Sequence, residues 1–570
     1  MSGVRPREID PRVSAYGEVY EGFRWQIPRR FNIAEDVCDR HADNPELASR
    51  VALYFEDYTG RESQLTFRDL KALSDRFASV LGSRGLTRGD RFAVLLPQRP
   101  ETAIAHLGIY KLGLIAVPLT VLFRRTALLY RLGHSGAKGI IVEAEQLELL
   151  SELLPELPDL KTVIVVDGLP PGGAGEGWLD FQAALEEVAG EFTPVVTGAD
   201  DPAMIVYTSG TTGNPKGALH AHRFLIGHLP GFELSHNFFP QPGDCFWTPA
   251  DWAWVGGLMD ALFAAWHYGV PIVAYRGKGA FDPERACRLM EKYRVRNAFI
   301  PPTALKMMAQ LTGLGRRYQV NLRTIMSGGE ALSAATLDWA QETFGVRINE
   351  IYGQTEINYI VGNCAPLWEV RPGSMGRPYP GHRVAVVDEE GQPLQPGQMG
   401  EVAVLRGADP VFFIEYWRNP QATREKFIGD WALTGDLAEQ DDDGYLWFKG
   451  RKDDVIISAG HRIGPTEIEE ALLLHPAVAL AAVVASPDAL RGSIVKAFVK
   501  PAPGHSPSAE LSRQIQDFVK DTLARHEYPR EIEYLDEFPL TTTGKIRRLE
   551  LRQRELARNS APAASATDRP

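Results

Sequence analysis

The chain is poor in cysteine: four residues in 570, Cys38, Cys245, Cys287 and Cys364, with no CxxC spacing among them. That excludes a zinc-ribbon pattern and a disulfide scaffold, and it suits a reducing cytoplasm. Long unbroken apolar runs are missing too. GLMDALFAAWHYGVPIVAY, one of the most apolar stretches, is interrupted by Asp260, His267 and Pro271, so it reads as buried helix and strand and not as a membrane span. The opening MSGVRPREID mixes acids with arginines and leads into no apolar segment, so neither a signal nor a transit peptide is expected. Positive charge is in deficit: 61 Lys and Arg stand against 73 Asp and Glu, a formal charge of −12. This argues against nucleic acid or an anionic membrane as partner, while leaving room for a local basic pocket. The closing NSAPAASATDRP is small and polar and is expected to be a disordered tail over 559–570.

What the chain has is length and alternation. A chain of 570 residues exceeds one ordinary core, so a large lobe and at least one smaller domain are expected. FAVLLP, GIIVEAE, TVIVVDG, AMIVYT, GVPIVAY, NAFIPP, TIMSGG and INEIYG each read as a buried strand bounded by turn residues. Amphipathic segments lie between them. One follows Thr66, with Asp69 placed for a capping box and Leu70, Leu73, Phe77 and Leu81 at helical spacing. The fold class is therefore α/β, a large N-terminal domain with parallel-type sheets. From about residue 383 the short alternating strands RVAVVDEEG, GEVAVLR and DGYLWFKGR predict a small barrel-like part. After GRKDD at 450–454 a helix capped by Thr466 and Glu469 is expected, within a small α+β C-terminal domain. The boundary falls in GRKDD, whose glycine-flanked charges suit an exposed connector. This gives domains 1–450 and 451–558.

The loop VYTSGTTGNPKG, 206–217, follows an apolar strand with hydroxyls, glycines and one lysine. Such a loop presents backbone N–H groups to an anion, phosphate above all. It fails the Walker A pattern, because Pro215 stands where the second Gly is required. Alone it suits a polar surface turn equally well. The chain then supplies SGGE at 327–330, YGQTE at 352–356, TGDL at 434–437, GRKDDVIISAGHRIGPTEIE at 450–469 and TTTGKIRR at 541–548. With SGTTGNPKG, these six motifs in order resemble the adenylate-forming enzymes, the superfamily of acyl-CoA synthetases, luciferases and peptide-synthetase adenylation domains. The likeness runs from about residue 30 to 550.

The resemblance implies a chemistry and its residues. A carboxylate attacks the α-phosphate of ATP, pyrophosphate leaves, and a thiol then displaces AMP from the acyl adenylate. Two anions meet in the first step, so cations and Mg²⁺ must offset the charge. By resemblance, Thr208, Ser209, Gly210, Thr211, Thr212 and Lys216 hold the β- and γ-phosphates, Thr355 meets the α-phosphate and Glu356 positions the metal. Gly329, Glu330, Ala331 and Tyr352, with Gln354, enclose the nucleotide base, while Asp436 accepts from the ribose, reinforced by Arg451. Arg462 meets the phosphates, and Lys545 bridges the substrate carboxylate and the forming phosphate bond. The small domain then rotates about a hinge at Asp453, withdrawing Lys545 and bringing Gly460 to the coenzyme A tunnel.

Only 25 residues follow Lys545, too few for a carrier domain, so free coenzyme A is the expected acceptor. The acid is less determined. Gly353, where acetate-restricted relatives carry tryptophan, together with Gly256 and Gly328, points to a deepened acyl pocket lined also by Trp254 and Val255. Glycine at tight turns is the competing explanation. A medium-length or branched acid is expected, with acetate, propionate or an aryl acid behind. Trp247, Trp252 and Trp254 belong either to that cavity or to the core. PLTTTGK, 539–545, resembles a site of lysine acetylation, which would make a lysine acetyltransferase a partner acting on Lys545. A nucleotide-binding regulator without turnover and a ligase loading a separate carrier protein are the rival functions. Oligomeric state does not follow from the sequence.

Overall fold

The computed structural model describes residues 15–170, 175, 177–208, 214–458, 461–488, 491–523, 528–540 and 546–560. The chain gathers into two compact units. One comprises Met1–Gly210, Asn214–Val384 and Leu405–Asp430; the other comprises Thr211–Gly213, Ala385–Val404 and Trp431–Pro570.

In the larger unit the eight apolar runs all become strands, shared between two sheets. The first sheet has the order Glu415–Tyr416, Lys216–Ala221, Pro202–Thr208, Ile115–Leu119, Arg91–Leu95, Ala137–Val142, Thr162–Val165 and Trp178–Asp180. Neighbours run parallel from Pro202–Thr208 onward, and the two strands beyond it are antiparallel. The second sheet has the order Ser374–Pro378, Ile357–Gly362, Ile348–Gln354, Thr324–Gly328, Asn297–Phe299, Phe246–Trp247, Ile272–Arg276, Val51–Asp57 and Glu62–Thr66. This run too is parallel in the middle and antiparallel toward both of its ends. Parallel strands are buried on both faces, which is why they read as continuous apolar runs. Leu95, Val117, Ile140 and Ile205 belong to the core of the first sheet, and Val273, Ala298, Ile325 and Ile348 to that of the second.

The helix Phe67–Ser83 begins with the expected capping box: Thr66 accepts from the Asp69 N–H and Asp69 accepts from the Thr66 N–H. The apolar stretch after Gly257 is helical over Leu258–Phe263 and Ala264–His267 and then a strand over Ile272–Arg276, with every residue from 258 to 267 buried. Among the described residues no helix is long and apolar enough to cross a membrane.

The smaller unit carries the alternating strands expected after residue 383, including Met399–Leu405, Trp431–Gln440 and Leu446–Arg451. It also has a sheet of Val478–Asp488, Gly492–Pro501 and Glu531–Tyr534. The helices Pro465–Leu473, Ala509–Thr522 and Arg548–Ser560 complete it. One expectation fails here. Thr466 does not cap its helix: Gly464 is the N-cap and no side chain bonds the helix end. Pro465 at the first helical position sets the start with its fixed φ. Glu469 is turned away, accepting the Val483 N–H at 2.8 Å and the Arg548 guanidinium.

Candidate active site

Two motif loops of the larger unit lie where a parallel sheet gives way to an antiparallel hairpin. Pro202–Thr208 pairs with Lys216–Ala221 and ends at the partners Thr208 and Lys216, where the Thr208 hydroxyl donates to the Lys216 carbonyl at 3.4 Å. Ser209, Gly210, Thr211 and Thr212 lie outside the described residues. The second hairpin joins Ile348–Gln354 to Ile357–Gly362. Its last partners are Gln354 and Ile357, so Thr355 and Glu356 are the two residues of a tight turn. Both residues thus stand in the turn just beyond the end of the ladder.

A third strand ties these loops together. Glu415–Tyr416 pairs with Lys216–Ala221, matching Tyr416 with Ala218. The Tyr416 hydroxyl donates to Glu356 Oε1, while Lys216 Nζ stands 5.1 Å from the Tyr416 ring centroid. The Phe413 N–H bonds the Glu356 carbonyl at 2.9 Å. Lys216, Tyr416 and Glu356 therefore form a row of cation, phenol and carboxylate, with Glu356 only 8% exposed. Lys426 Nζ adds a second cation, donating to Gln354 Oε1 at 2.7 Å. Neither Tyr416 nor Lys426 was singled out by sequence. Their pairing crosses about 200 positions in the chain for Tyr416 and Ala218 and leaves no local periodicity to read.

The nucleotide-base candidates also come together. Gly328 is the ladder partner of Ile351, which sets Gly329, Glu330 and Ala331 beside Tyr352. Gly329 has φ +98°, a conformation only glycine adopts freely. The turn is held by the Leu332 N–H donating to Glu350 Oε1 at 3.0 Å.

The proposed acyl-pocket glycines are all tightly packed. A Cβ at Gly256 would stand 2.7 Å from Phe299 Cε1, and one at Gly328 would stand 2.7 Å from the Ile351 carbonyl oxygen. At Gly353 it would collide with the Tyr359 backbone nitrogen. Gly353 sits at a register shift between Tyr352 and Gln354, the kind of bulge where glycine is favoured. Gly328 and Gly353 are thus required by the backbone beside them, whatever their effect on a substrate, while Gly256 is met by the tip of the Phe299 ring. Val255 is buried, Trp247 and Trp252 are core, and Trp254 packs edge-on against Phe123 with centroids 6.1 Å apart.

In the smaller unit Asp436 and Arg451 are ladder partners, joined by an ion pair at 3.2 Å. The Asp436 N–H donates to Thr434 Oγ1, which in turn donates to the Val402 carbonyl. Arg451 Nε also donates to Asp453 at 3.1 Å, and Arg552 donates to the Asp453 carbonyl. Arg462 lies on the strand His461–Ile463, opposite Ile457. Gly460 and Lys545 lie outside the described residues.

The family comparisons agree with this geometry. The family model for the AMP-binding enzyme matches residues 36–412, and that for the AMP-binding enzyme C-terminal domain matches 467–545. The chain is 38% identical to a mitochondrial acyl-coenzyme A synthetase of Homo sapiens, ACSM4, over 93% of this chain and 91% of that protein. It is 35% identical to an acetyl-coenzyme A synthetase of Bacillus subtilis over 96% of each. The crystal structure of the anthranilate CoA ligase AuaEII with anthranoyl-AMP superposes with a TM-score of 0.83 at 29% identity, covering 94% of this chain and 99% of that one. The first model alone spans more than half of the sequence, so the resemblance read from six motifs holds: the chain belongs to the AMP-binding, adenylate-forming enzyme family.

Proposed function

We propose that this protein is an AMP-forming acid–thiol ligase. It joins a carboxylic acid to the α-phosphate of ATP with release of pyrophosphate, then transfers the acyl group to coenzyme A with release of AMP. The Lys216–Tyr416–Glu356 row beside the Thr355–Glu356 turn carries this reading. It offers positive charge and hydroxyl donors to phosphate oxygens and one buried carboxylate for a cation.

The residues fit a magnesium ion that arrives with ATP. Among the described residues no group of three or more His, Cys, Asp or Glu could hold a metal. Mg²⁺ keeps most of its ligands as water and phosphate oxygen and needs only one or two carboxylates. Glu356 is that carboxylate, and the ion supplies neutralisation of the phosphate charge. Lys216 and the loop from Thr208 bind the departing pyrophosphate end, and Thr355 orients the α-phosphate. Gly329 to Ala331 and Tyr352 exclude water around the base, while Asp436, reinforced by Arg451, accepts from the ribose hydroxyls. Lys545 and Arg462 meet charge that develops in the first step. Asp453 acts as the hinge that exchanges Lys545 for Gly460 in the second.

The acid is medium-length or branched, with short and aryl acids as secondary substrates, and the protein works in the cytoplasm. Acetylation of Lys545 would switch off its first step. The test is CoA-dependent AMP release over acetate to decanoate with branched and aromatic acids. A maximum among the longer or branched acids is expected. AMP from no acid would overturn the enzymatic reading in favour of a nucleotide-binding regulator, and CoA-independent transfer to a carrier protein would replace the acceptor.

A further inference from the structure

One polar cluster in the core of the larger unit is not used by the chemistry above. The helical stretch Leu258–Phe263 is buried throughout, yet it contains Asp260, which is 2% exposed among Leu258, Met259, Ala261 and Leu262. Two polar groups face Asp260. Asn358 Nδ2 donates to both carboxyl oxygens, at 2.8 and 2.7 Å, and His228 Nε2 lies 3.3 Å from Oδ1. His228 Nδ1 bonds the Phe224 carbonyl at 2.7 Å. A carbonyl only accepts, so Nδ1 carries the proton and the neutral ring turns an acceptor, Nε2, to the cluster.

A buried network of this sort is costly. Apolar residues of similar volume would stabilise the core as well or better, so its presence calls for a reason beyond folding. Its position supplies one. Asn358 is two residues after Glu356 and spends its amide nitrogen on Asp260 and His228, the latter at 3.2 Å. Its Oδ1 points the other way, to 2.9 Å from where a Cβ at Gly353 would stand. Asp260 Oδ2 lies 3.9 Å from the corresponding point at Gly256. Asn358 Oδ1 therefore faces one of the three glycines assigned to the acyl pocket, and Asp260, whose two oxygens both accept from the Asn358 amide nitrogen, holds it in that orientation. Burial also pushes the Asp260 carboxyl up to about 8, so at neutral pH it stays largely uncharged and can both give and accept a hydrogen bond.

We infer that Asn358 is a specificity-determining residue positioned by Asp260, and that the acid activated here carries a hydrogen-bond donor, a hydroxyl or an amine, on its acyl part. The inference rests on the ligase reading above. A plain hydrocarbon chain in the same place would cover Asn358 Oδ1 without satisfying it, which costs more than a few methylenes return. A site built to bond a substrate hydroxyl or amine discriminates strongly against the analogue that lacks it.

The experiment compares matched acids with the full-length protein: butanoate with 3-hydroxybutanoate and 4-aminobutanoate, hexanoate with 6-hydroxyhexanoate and 6-aminohexanoate, and benzoate with its hydroxy and amino derivatives. CoA-dependent AMP release gives kcat/KM for each. In at least one set a substituted acid should exceed its parent by about tenfold or more, and the hydroxyl and amino arms identify the donor. Asp260→Asn, nearly isosteric, and Asp260→Leu should each reduce that preference several-fold. A merely structural role would lower both acids in parallel and leave the ratio unchanged. Circular dichroism and melting identify a variant that fails to fold, and the wild-type ratio decides by itself in that case. Parent acids equal to or better than every substituted partner, or a ratio unchanged in both variants, would overturn the inference while leaving the ligase reading intact. AMP from no acid at all would overturn both.

Discussion

Tyr416 is the residue whose role is most separable. Its ring lies under Lys216 and its hydroxyl donates to Glu356, so Tyr416→Phe removes the second contact and keeps the first. A hydrogen bond to a charged group contributes about 1.5–3 kcal/mol, which predicts a loss of about 10- to 100-fold in pyrophosphate–ATP exchange. Because the bond orients Glu356, higher Mg²⁺ should recover part of the rate. An unchanged Mg²⁺ dependence would show that the hydroxyl does not act through Glu356. Lys545 belongs to the same scale. Lys545→Ala should cost about 10²–10³ in acyl-adenylate formation and leave thioester formation from supplied acyl-AMP intact; equal losses in both steps would remove it from the first. The motif residues were legible because glycine, threonine and acid stand next to one another in the chain. Tyr416 was not, because what matters is the strand opposite it. Asp260 did leave a trace, a lone carboxylate in an apolar run, but its partners His228 and Asn358 are 32 positions before it and 98 after.

At the scale of elements, the hairpin carrying Thr355 and Glu356 depends on a bulge. The register shifts at Gly353, and a side chain there would strike the Tyr359 backbone nitrogen and Asn358. Gly353→Ala should therefore cost about 1–3 kcal/mol from overpacking, seen as a lowered melting temperature, besides any change in acid preference. Should it instead melt like the wild type and only shorten the longest acid accepted, Gly353 would be a pocket wall and nothing more. Strands were the most legible elements: a continuous apolar run such as AMIVYT has few other ways to be buried. The helix at 465 was misread at its start. Thr466 and Glu469 have capping-box spacing, but Pro465 fixes the first turn and Glu469 is drawn to Val483 and Arg548. Tertiary partners won over a local signal that succeeded at Thr66, whose partner Asp69 has no competing contact of that kind.

Over the whole molecule, function is expected to follow the stability of the smaller unit, and one ion pair tests this. Lys496 on the strand Gly492–Pro501 and Glu555 on the final helix Arg548–Ser560 are each 1% exposed in their side chains and lie 2.5 Å apart. Glu533, on the strand Glu531–Tyr534, adds a second carboxylate at 2.7 Å, and Ser486 donates to the other oxygen of Glu555 at 3.0 Å. One ammonium thus anchors the last strand and the last helix, and TTTGK, with Lys545, directly precedes that helix. Removing one partner of a buried pair costs about 3–5 kcal/mol when the other charge is left without compensation; Glu533 still faces Lys496 after Glu555 is removed, so the loss here is smaller. Glu555→Ala should therefore lower the calorimetric transition of the smaller unit and, with it, the acyl-adenylate step that needs Lys545. The double replacement Lys496→Met with Glu555→Leu removes both charges and should restore most of the melting temperature. If it also restores adenylation, the pair serves only to hold the unit together. If adenylation stays low in a fully stable double variant, Lys496 and Glu555 do more than hold the helix, and the link between stability and rate proposed here is wrong.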